Sequence, residues 1–261
     1  MSVKSKVKAK VLSQKMIAPD IYDMWLSTEL AGEAGAGQFI GVYTKDASRL
    51  LPRPISICQA DKEKKALRIV YRTAGAGTKE FAGWQPGDTA DILGILGNGF
   101  PVSEGLGKRV VLMGGGIGIP PMVQLAGELE RAGTKAVIIA GYRDDRLFLK
   151  EDLEKYGKVL IATEDGSVGT RGNVLTVMDK EQVEADVIMA CGPMPMLRAV
   201  KSYAGEKQIT AYLSLEERMA CGVGACLGCV CKTVHKDSHS HVNNARICTD
   251  GPVFDAREVD I

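Results

Sequence analysis

Up to Pro101, apolar and polar residues alternate in short runs separated by glycine and proline. Residues 37–43 and 66–72 are two such runs, each too short for a helix and rich in strand formers. A period of two predicts β-strands. Regular short strands with Gly/Pro punctuation predict a small antiparallel barrel or sandwich. The alternation of Val3, Ser5 and Val7 with Lys4, Lys6 and Lys8 predicts an exposed strand at the N-terminus. A short helix is expected to begin at Thr78, after Gly75-Ala76-Gly77.

From Lys108 the rhythm becomes strand–helix–strand. Residues 109–113 form an apolar run that ends in a glycine turn. Pro120 and Pro121 suit the first turn of a helix. That helix is predicted to reach Ala132, with Met122, Leu125, Ala126 and Leu129 on one face. A strand at 136–141, a helix at 147–156, and strands at 159–163 and 186–190 follow, with another helix after Cys191-Gly192-Pro193. Alternating strands and helices imply a parallel α/β sheet. After Ser214 the pattern breaks, and the remaining sequence is too poor in apolar residues for an independent core. A bound cofactor is expected to hold it together. The expected fold class is therefore α+β multidomain: an antiparallel β-barrel over residues 1–102, an α/β nucleotide-binding domain over 103–213, and a small module over 214–261.

Composition narrows the function. Of 261 residues, 45% are hydrophobic and 25% charged, as in ordinary globular proteins. The formal net charge of +1 gives no electrostatic case for nucleic acid or an anionic membrane. No apolar run is long enough to span a bilayer. The basic first ten residues have no apolar stretch behind them, so no secretory signal is expected and the default location is the cytoplasm. Glycines cluster in turns and no internal repeat is present.

Seven cysteines are an odd number, and four of them crowd between Cys221 and Cys231. This does not suit a disulfide framework and points to metal or redox chemistry. Cys221, Cys226 and Cys229 have the spacing C-x4-C-x2-C, the plant-type [2Fe–2S] pattern. Gly222, Gly224 and Gly228 let a short loop curl so that thiolates converge and amides face the sulfurs. The alternatives are a zinc site and unrelated buried thiols. Zinc usually takes two paired C-x2-C knuckles, and only one is present. The fourth thiolate is either Cys231 or Cys248. His235, His239 and His241 lie in a polar loop and read as solvated, not as ligands of a Rieske-type centre.

Two further groups of residues carry nucleotide chemistry. Arg53-Pro54-Ile55-Ser56, Val70-Tyr71-Arg72 and Gly77-Thr78 suit a flavin: arginines for a pyrophosphate, a hydroxyl for the ring, helix-start amides for phosphate. Strand packing for Tyr71 and a solvated face for Arg72 are the plain alternatives. Gly114-Gly115-Gly116-Ile117-Gly118 links a strand to a helix, and Cys191-Gly192-Pro193-Met194 follows another strand. Both fall where a parallel sheet binds nicotinamide dinucleotides. A packing turn, and for Cys191 a small buried hydrophobe, compete with that reading. Asp144 and Asp145 favour NAD over NADP, although Arg143 and Arg146 oppose them.

Together these features resemble the ferredoxin–NADP reductase superfamily with an appended [2Fe–2S] module. Ile55 stands where that family usually has a tyrosine. The RPIS run at 53–56, the ERMACGVGACLGC run at 217–229 and the CTDGPVF run at 248–254 resemble the electron-transfer subunit of NAD-dependent (class 1B) dihydroorotate dehydrogenase. Residues 94–100 resemble its barrel-to-nicotinamide junction. The resemblance implies Cys221, Cys226, Cys229 and Cys248 as cluster ligands. It implies a relay from the FMN of a catalytic partner through the cluster and FAD to NAD, in a heterotetramer of two plus two subunits. No side chain need act as acid or base. Reductase subunits of a hydrogenase, a sulfide dehydrogenase or a ferredoxin-dependent transhydrogenase share the same sites. A zinc-bearing interaction module is the reading from another class.

Overall fold

The computed structural model describes residues 4–236 and 241–261. Val3 and His239 lie outside these. The first six strands, β1 (Ser5–Ala18), β2 (Ile21–Ser27), β3 (Phe39–Val42), β4 (Arg53–Asp61), β5 (Ala66–Arg72) and β6 (Thr89–Leu96), close an antiparallel barrel in the order β1-β2-β5-β4-β3-β6. Alternation decides what points inward. Ala9, Val11, Met24, Leu26, Leu67, Ile69 and Ile92 fill the interior, while Lys6, Lys8 and Lys10 of β1 face water.

The short helix, α1 (Ala76–Ala82), starts two residues earlier than the sequence suggests. Gly75 is its extended N-cap, and Thr78 sits at the third helical position. The Thr78 hydroxyl accepts from the amides of Ala74 (2.9 Å) and Gly75 (3.1 Å). Thr78 thus closes the helix start instead of beginning it.

The second domain is a seven-stranded sheet in the order β10-β9-β8-β7-β11-β12-β15. Its strands are β7 (Val110–Gly115), β8 (Val137–Tyr142), β9 (Lys158–Thr163), β10 (Thr170–Arg171), β11 (Val187–Cys191) and β12 (Thr210–Ser214), all parallel, with β15 (Val253–Asp255) antiparallel at the edge. Helix α2 (Pro120–Arg131) packs Met122, Leu125 and Leu129 on one face of the sheet, against Leu112, Ile138 and Met189. On the other face α4 (Val174–Lys180) and α5 (Met194–Lys207) bring Val177, Met178, Leu197 and Val200 onto Val111, Ile139 and Ile188. Strands covered on both faces read as unbroken apolar runs, which is why they were legible. Helix α3 spans Lys150–Glu154, shorter than the predicted 147–156. Leu149 has φ of 62°, a left-handed conformation that a right-handed helix cannot include.

The barrel is clamped to the sheet by polar contacts. The Ala60 amide donates to Gln124 Oε1 (2.8 Å), and the Ala36 amide to Glu128 Oε1 (3.1 Å). Arg68 of β5 bonds Asp23 inside its own domain and Asp152 of α3 across the boundary, both at 2.9 Å. Its side chain is only 9% exposed. Removing one member of a buried pair leaves the other charge without compensation. Arg68→Ala is therefore expected to cost about 3–5 kcal/mol in denaturant unfolding. A loss under about 1 kcal/mol would match a surface ion pair instead.

The cysteine-bearing segment holds a small hairpin, β13 (Val230–Lys232) and β14 (Asn244–Arg246), and then β15. It also shares apolar contacts with the other two domains. Cys229, Ile247, Cys248 and Phe254 share one core with Phe39, Leu93 and Leu96 of the barrel and Leu213 of the sheet. The Asn98 amide donates to the Gly251 carbonyl (2.6 Å), and the Leu215 amide to that of Pro252 (2.8 Å). The segment borrows its apolar floor from the two other domains. No helix among the described residues is long and apolar enough to cross a membrane.

Candidate functional site

A cavity of about 520 Å³ opens between the barrel, the end of β12 and the cysteine-bearing segment. Its size is in the range of cofactor sites. One wall is Arg53, Pro54, Ile55 and Ser56 of β4, with Val70, Tyr71 and Arg72 of β5 and Thr78 of α1. Of the flavin candidates only Gly77 is not on the wall. It packs behind: a Cβ there would stand 3.0 Å from Cζ of Arg53, so glycine sets the position of the arginine. Arg53 Nη1 also bonds the Leu51 carbonyl.

Tyr71 does two jobs. Its hydroxyl donates to Gln14 Oε1 (2.8 Å), and Gln14 Nε2 donates to the carbonyls of Phe81 and Trp84 (2.9 Å each). Its ring stacks on Tyr22 with centroids 5.9 Å apart. Burial raises its hydroxyl well above the usual phenol range. It is a packed residue whose surface also lines the cavity.

The opposite wall was not anticipated. Ser214, Leu215, Glu216, Glu217, Arg218 and Met219 run along it, with Ile117, Ile247 and Pro252. A signal existed. Residues 210–214 alternate as a strand after a helix, and ligands sit at the carboxyl ends of such strands. Glu216 reaches solvent at the cavity mouth, yet the surrounding protein raises its carboxyl, against the pull of Arg72.

The two nicotinamide turns interlock at the carboxyl end of the sheet. Cys191 is the parallel partner of Gly114. A Cβ on Gly118 would meet the Cys191 carbonyl and stand 2.6 Å from the Gly192 nitrogen. One on Gly115 would lie 3.1 Å from Pro193 Cδ. Gly116 has φ of 54° and open space around it. Only Ile117 of this group reaches the large cavity. Met194 lines a second one of about 220 Å³ with Arg198, Glu216 and Lys232. Cys191 is 1% exposed. Burial, helped by Glu216 and opposed by a Ser214 hydrogen bond, pushes its thiol up to about 12. Its environment is that of a small apolar group.

The cysteines sort into two pairs. Cys221 pairs with Cys226, whose backbone amide donates to Cys221 Sγ at 3.4 Å, and Cys229 pairs with Cys248. Burial raises Cys221, but the amides of Val223 and Cys226, 3.4 Å from Sγ, outweigh it and bring the thiol to about 6. Cys248 also faces Cys221 electrostatically. Cys231 stands apart, with the Ala245 backbone, Glu217 and Asp250 as neighbours. Gly222 and Gly224, at φ of 73° and 80°, make the turns that bring the first pair round. Among the described residues no three His, Cys, Asp or Glu side chains group to hold a single ion. Two thiol pairs suit two irons better than one zinc. His235 and His241 are exposed.

Comparison with known proteins agrees. Residues 216–260 match the family model of the iron–sulfur cluster binding domain of dihydroorotate dehydrogenase B. A solved structure of NADH-dependent reduced ferredoxin-NADP oxidoreductase superposes with a TM-score of 0.85 at 26% identity, covering 100% of this chain and 91% of its own. The ferredoxin NADP+ reductase of Neisseria gonorrhoeae shares the fold at a TM-score of 0.66 and 19% identity, over 77% of this chain and 91% of that one. Barrel, parallel sheet and cluster domain define an iron–sulfur oxidoreductase subunit on the ferredoxin reductase fold.

Two relatives specify it further. The chain is 44% identical over 253 residues to the dihydroorotate dehydrogenase B (NAD(+)) electron transfer subunit of Bacillus caldolyticus, covering 95% of this chain and 96% of that one. It is 42% identical over 256 residues to that of Streptococcus mutans, covering 97% and 98%. The chain belongs to the family of dihydroorotate dehydrogenase B electron transfer subunits.

Proposed function

We propose that this chain carries electrons from the FMN of a dihydroorotate dehydrogenase catalytic subunit, through a [2Fe–2S] cluster and FAD, to NAD+ in de novo pyrimidine biosynthesis. The observation that carries the reading is the wall shared by cavity and cysteines. Met219 lines the cavity two residues before Cys221, and Ile247 lines it beside Cys248. A ring seated in the cavity is then one side chain from the cluster ligands.

The residues present fit the groups. Cys221, Cys226, Cys229 and Cys248 supply four thiolates in two pairs, and glycine turns leave amides free to face sulfur. Arg53 and Arg72 supply cations for a pyrophosphate, Ser56 a hydroxyl for the ring edge, and Pro54, Ile55, Val70 and Tyr71 an apolar seat. Gly77 and Thr78 hold the Arg53 side and shape the phosphate end. When bound, FAD links one-electron and two-electron exchange. Gly114, Gly115, Gly116, Ile117 and Gly118 bring bare backbone to the dinucleotide, and Cys191, Gly192, Pro193 and Met194 form the facing lip. Asp144 and Asp165, at the carboxyl ends of β8 and β9, oppose a 2′-phosphate and favour NAD. The Arg146 hydrogen bond holds the Asp144 carboxyl near 2, so this charge is permanent. The domains run 1–102, 103–213 and 214–261. The assembly is a cytoplasmic heterotetramer of two plus two subunits.

The test is anaerobic NAD+ reduction by dihydroorotate, with this chain alone and with an FMN-containing catalytic subunit. Turnover is expected only with both. The likeness to NADH-dependent reduced ferredoxin-NADP oxidoreductase favours a second reading, a reductase subunit with a ferredoxin-type partner. Failure with dihydroorotate, together with intact NADH oxidation by an artificial acceptor, would select it.

A further inference from the structure

Arg246 joins the two pieces of chain that carry the cysteines. It ends β14, two residues before Cys248. Its carbonyl accepts from the amides of Thr249 (3.2 Å), Asp250 (2.7 Å) and Gly251 (3.2 Å), which curls the chain around Cys248. Its own amide donates to Asp250 Oδ2 (2.8 Å), and its guanidinium reaches the same carboxylate at 3.3 Å. The Asp250 carbonyl is tied in turn to Asn98 Nδ2 of the barrel junction (3.0 Å). The other end of the guanidinium crosses to the first ligand loop, where Nη1 donates to the Gly224 carbonyl at 3.1 Å.

That last bond has a consequence for Cys221. The Gly224 carbonyl and the Ala225 N–H belong to one planar trans peptide, so they point in opposite directions. Holding the carbonyl on Arg246 aims the N–H away from it and fixes the loop whose Val223 and Cys226 amides hydrogen-bond the Cys221 sulfur at 3.4 Å each. The position requires glycine: at φ of 80° a Cβ would stand 2.7 Å from Thr249 Cγ2. The two ligand-bearing pieces are thus keyed together at one side chain. Resting on the four-cysteine reading above, we propose that Arg246 is the positioning residue of the cluster: it fixes the Cys221–Cys226 loop against the Cys248 turn, and its charge and the amides it fixes favour the reduced cluster.

Charge and geometry are separable. An adjacent cation stabilises the more negative, reduced state, and an adjacent anion opposes it. The planar fork, by contrast, is what spans Asp250 and Gly224 together; an ammonium keeps the charge without the fork. The test uses the full chain with its cofactors. The cluster's midpoint potential is read by redox titration with electron paramagnetic resonance, and iron retention by release to a chelator. Arg246→Gln is expected to lower the potential and Asp250→Asn to raise it. Arg246→Lys should stay near the wild-type potential yet release iron about 10-fold faster, within the range for outer-shell changes at metal sites. A purely structural role would speed iron release in all three and move the potentials in no opposed pattern, which overturns the tuning. Wild-type potential and wild-type iron release in both Arg246 variants overturn the proposal altogether. Should Arg246→Gln not assemble a cluster, the test rests on Asp250→Asn, whose potential should lie above both wild type and Arg246→Lys. A wild-type chain that takes up no iron would overturn the four-cysteine reading itself, a result distinct from any of these.

Discussion

Cys248→Ser is expected to yield a chain that keeps its flavin and lacks the iron–sulfur absorption, with dihydroorotate-driven NAD+ reduction lost to background in the presence of the partner. The reason is the pairing of the thiols. Cys248 stands with Cys229, and both are fully buried against the apolar floor from the barrel. A serine hydroxyl is a harder, far less acidic donor than a thiolate and leaves one iron short of sulfur. Cys231→Ser is the control. That thiol faces the Ala245 backbone, Glu217 and Asp250 and belongs to neither thiol pair. It should retain the spectrum and the partner reaction. A Cys231→Ser chain without a cluster, beside a Cys248→Ser chain with one, would reverse the assignment. The flavin cavity also has a wall built by the barrel and α1, away from the cysteines, so flavin content reports that each variant has folded.

Gly118→Ala should have the second largest effect, and on a different function. The added methyl would meet the Cys191 carbonyl, with the carbonyl carbon at 2.5 Å and the Gly192 nitrogen at 2.6 Å. These are backbone atoms of one peptide at the end of β11, and no rotamer relieves the clash. Overpacking usually costs about 1–3 kcal/mol, and a backbone obstacle belongs at the upper end or above. Relief comes only by parting the two turns, which are the proposed NAD lip. The expected result is a lower melting temperature and a KM for NADH raised at least about 10-fold, the equivalent of about 1.4 kcal/mol. Gly116→Ala separates crowding from backbone freedom. Its Cβ meets nothing, and only the left-handed φ of 54° resists it, so its loss should be smaller. Equal NADH affinities in Gly118→Ala and wild type would remove the lip from the dinucleotide site.

Much of this architecture was legible because both domains use simple periods. The strands of the central sheet are apolar throughout because helices cover both faces, and the barrel strands alternate because one face is wet. What escaped was set by tertiary contact. The wall from Ser214 to Met219 carries no flavin signal, although Glu217 to Met219 open the cysteine-loop run; it becomes a wall because β12 ends at the cavity. The start of α1 was misplaced because Thr78 caps its own helix from the third position, a bond that a residue-by-residue reading takes for a beginning. The choice between Cys231 and Cys248 was undecidable from spacing, since each follows the loop at a distance a chain can bridge. It turns on which thiol folds back beside Cys229. The weak apolar content of the last segment was legible, but not where its apolar neighbours would come from. Leu93 and Leu96 supply the floor that the segment lacks.

That borrowed floor orders events during synthesis. The whole barrel and six of the seven sheet strands precede Cys221 in the chain, and domains fold as units from the N-terminus. The residues that form the floor under Cys229 and Cys248 are therefore made before those ligands, and iron delivery is expected to meet a surface laid down in advance.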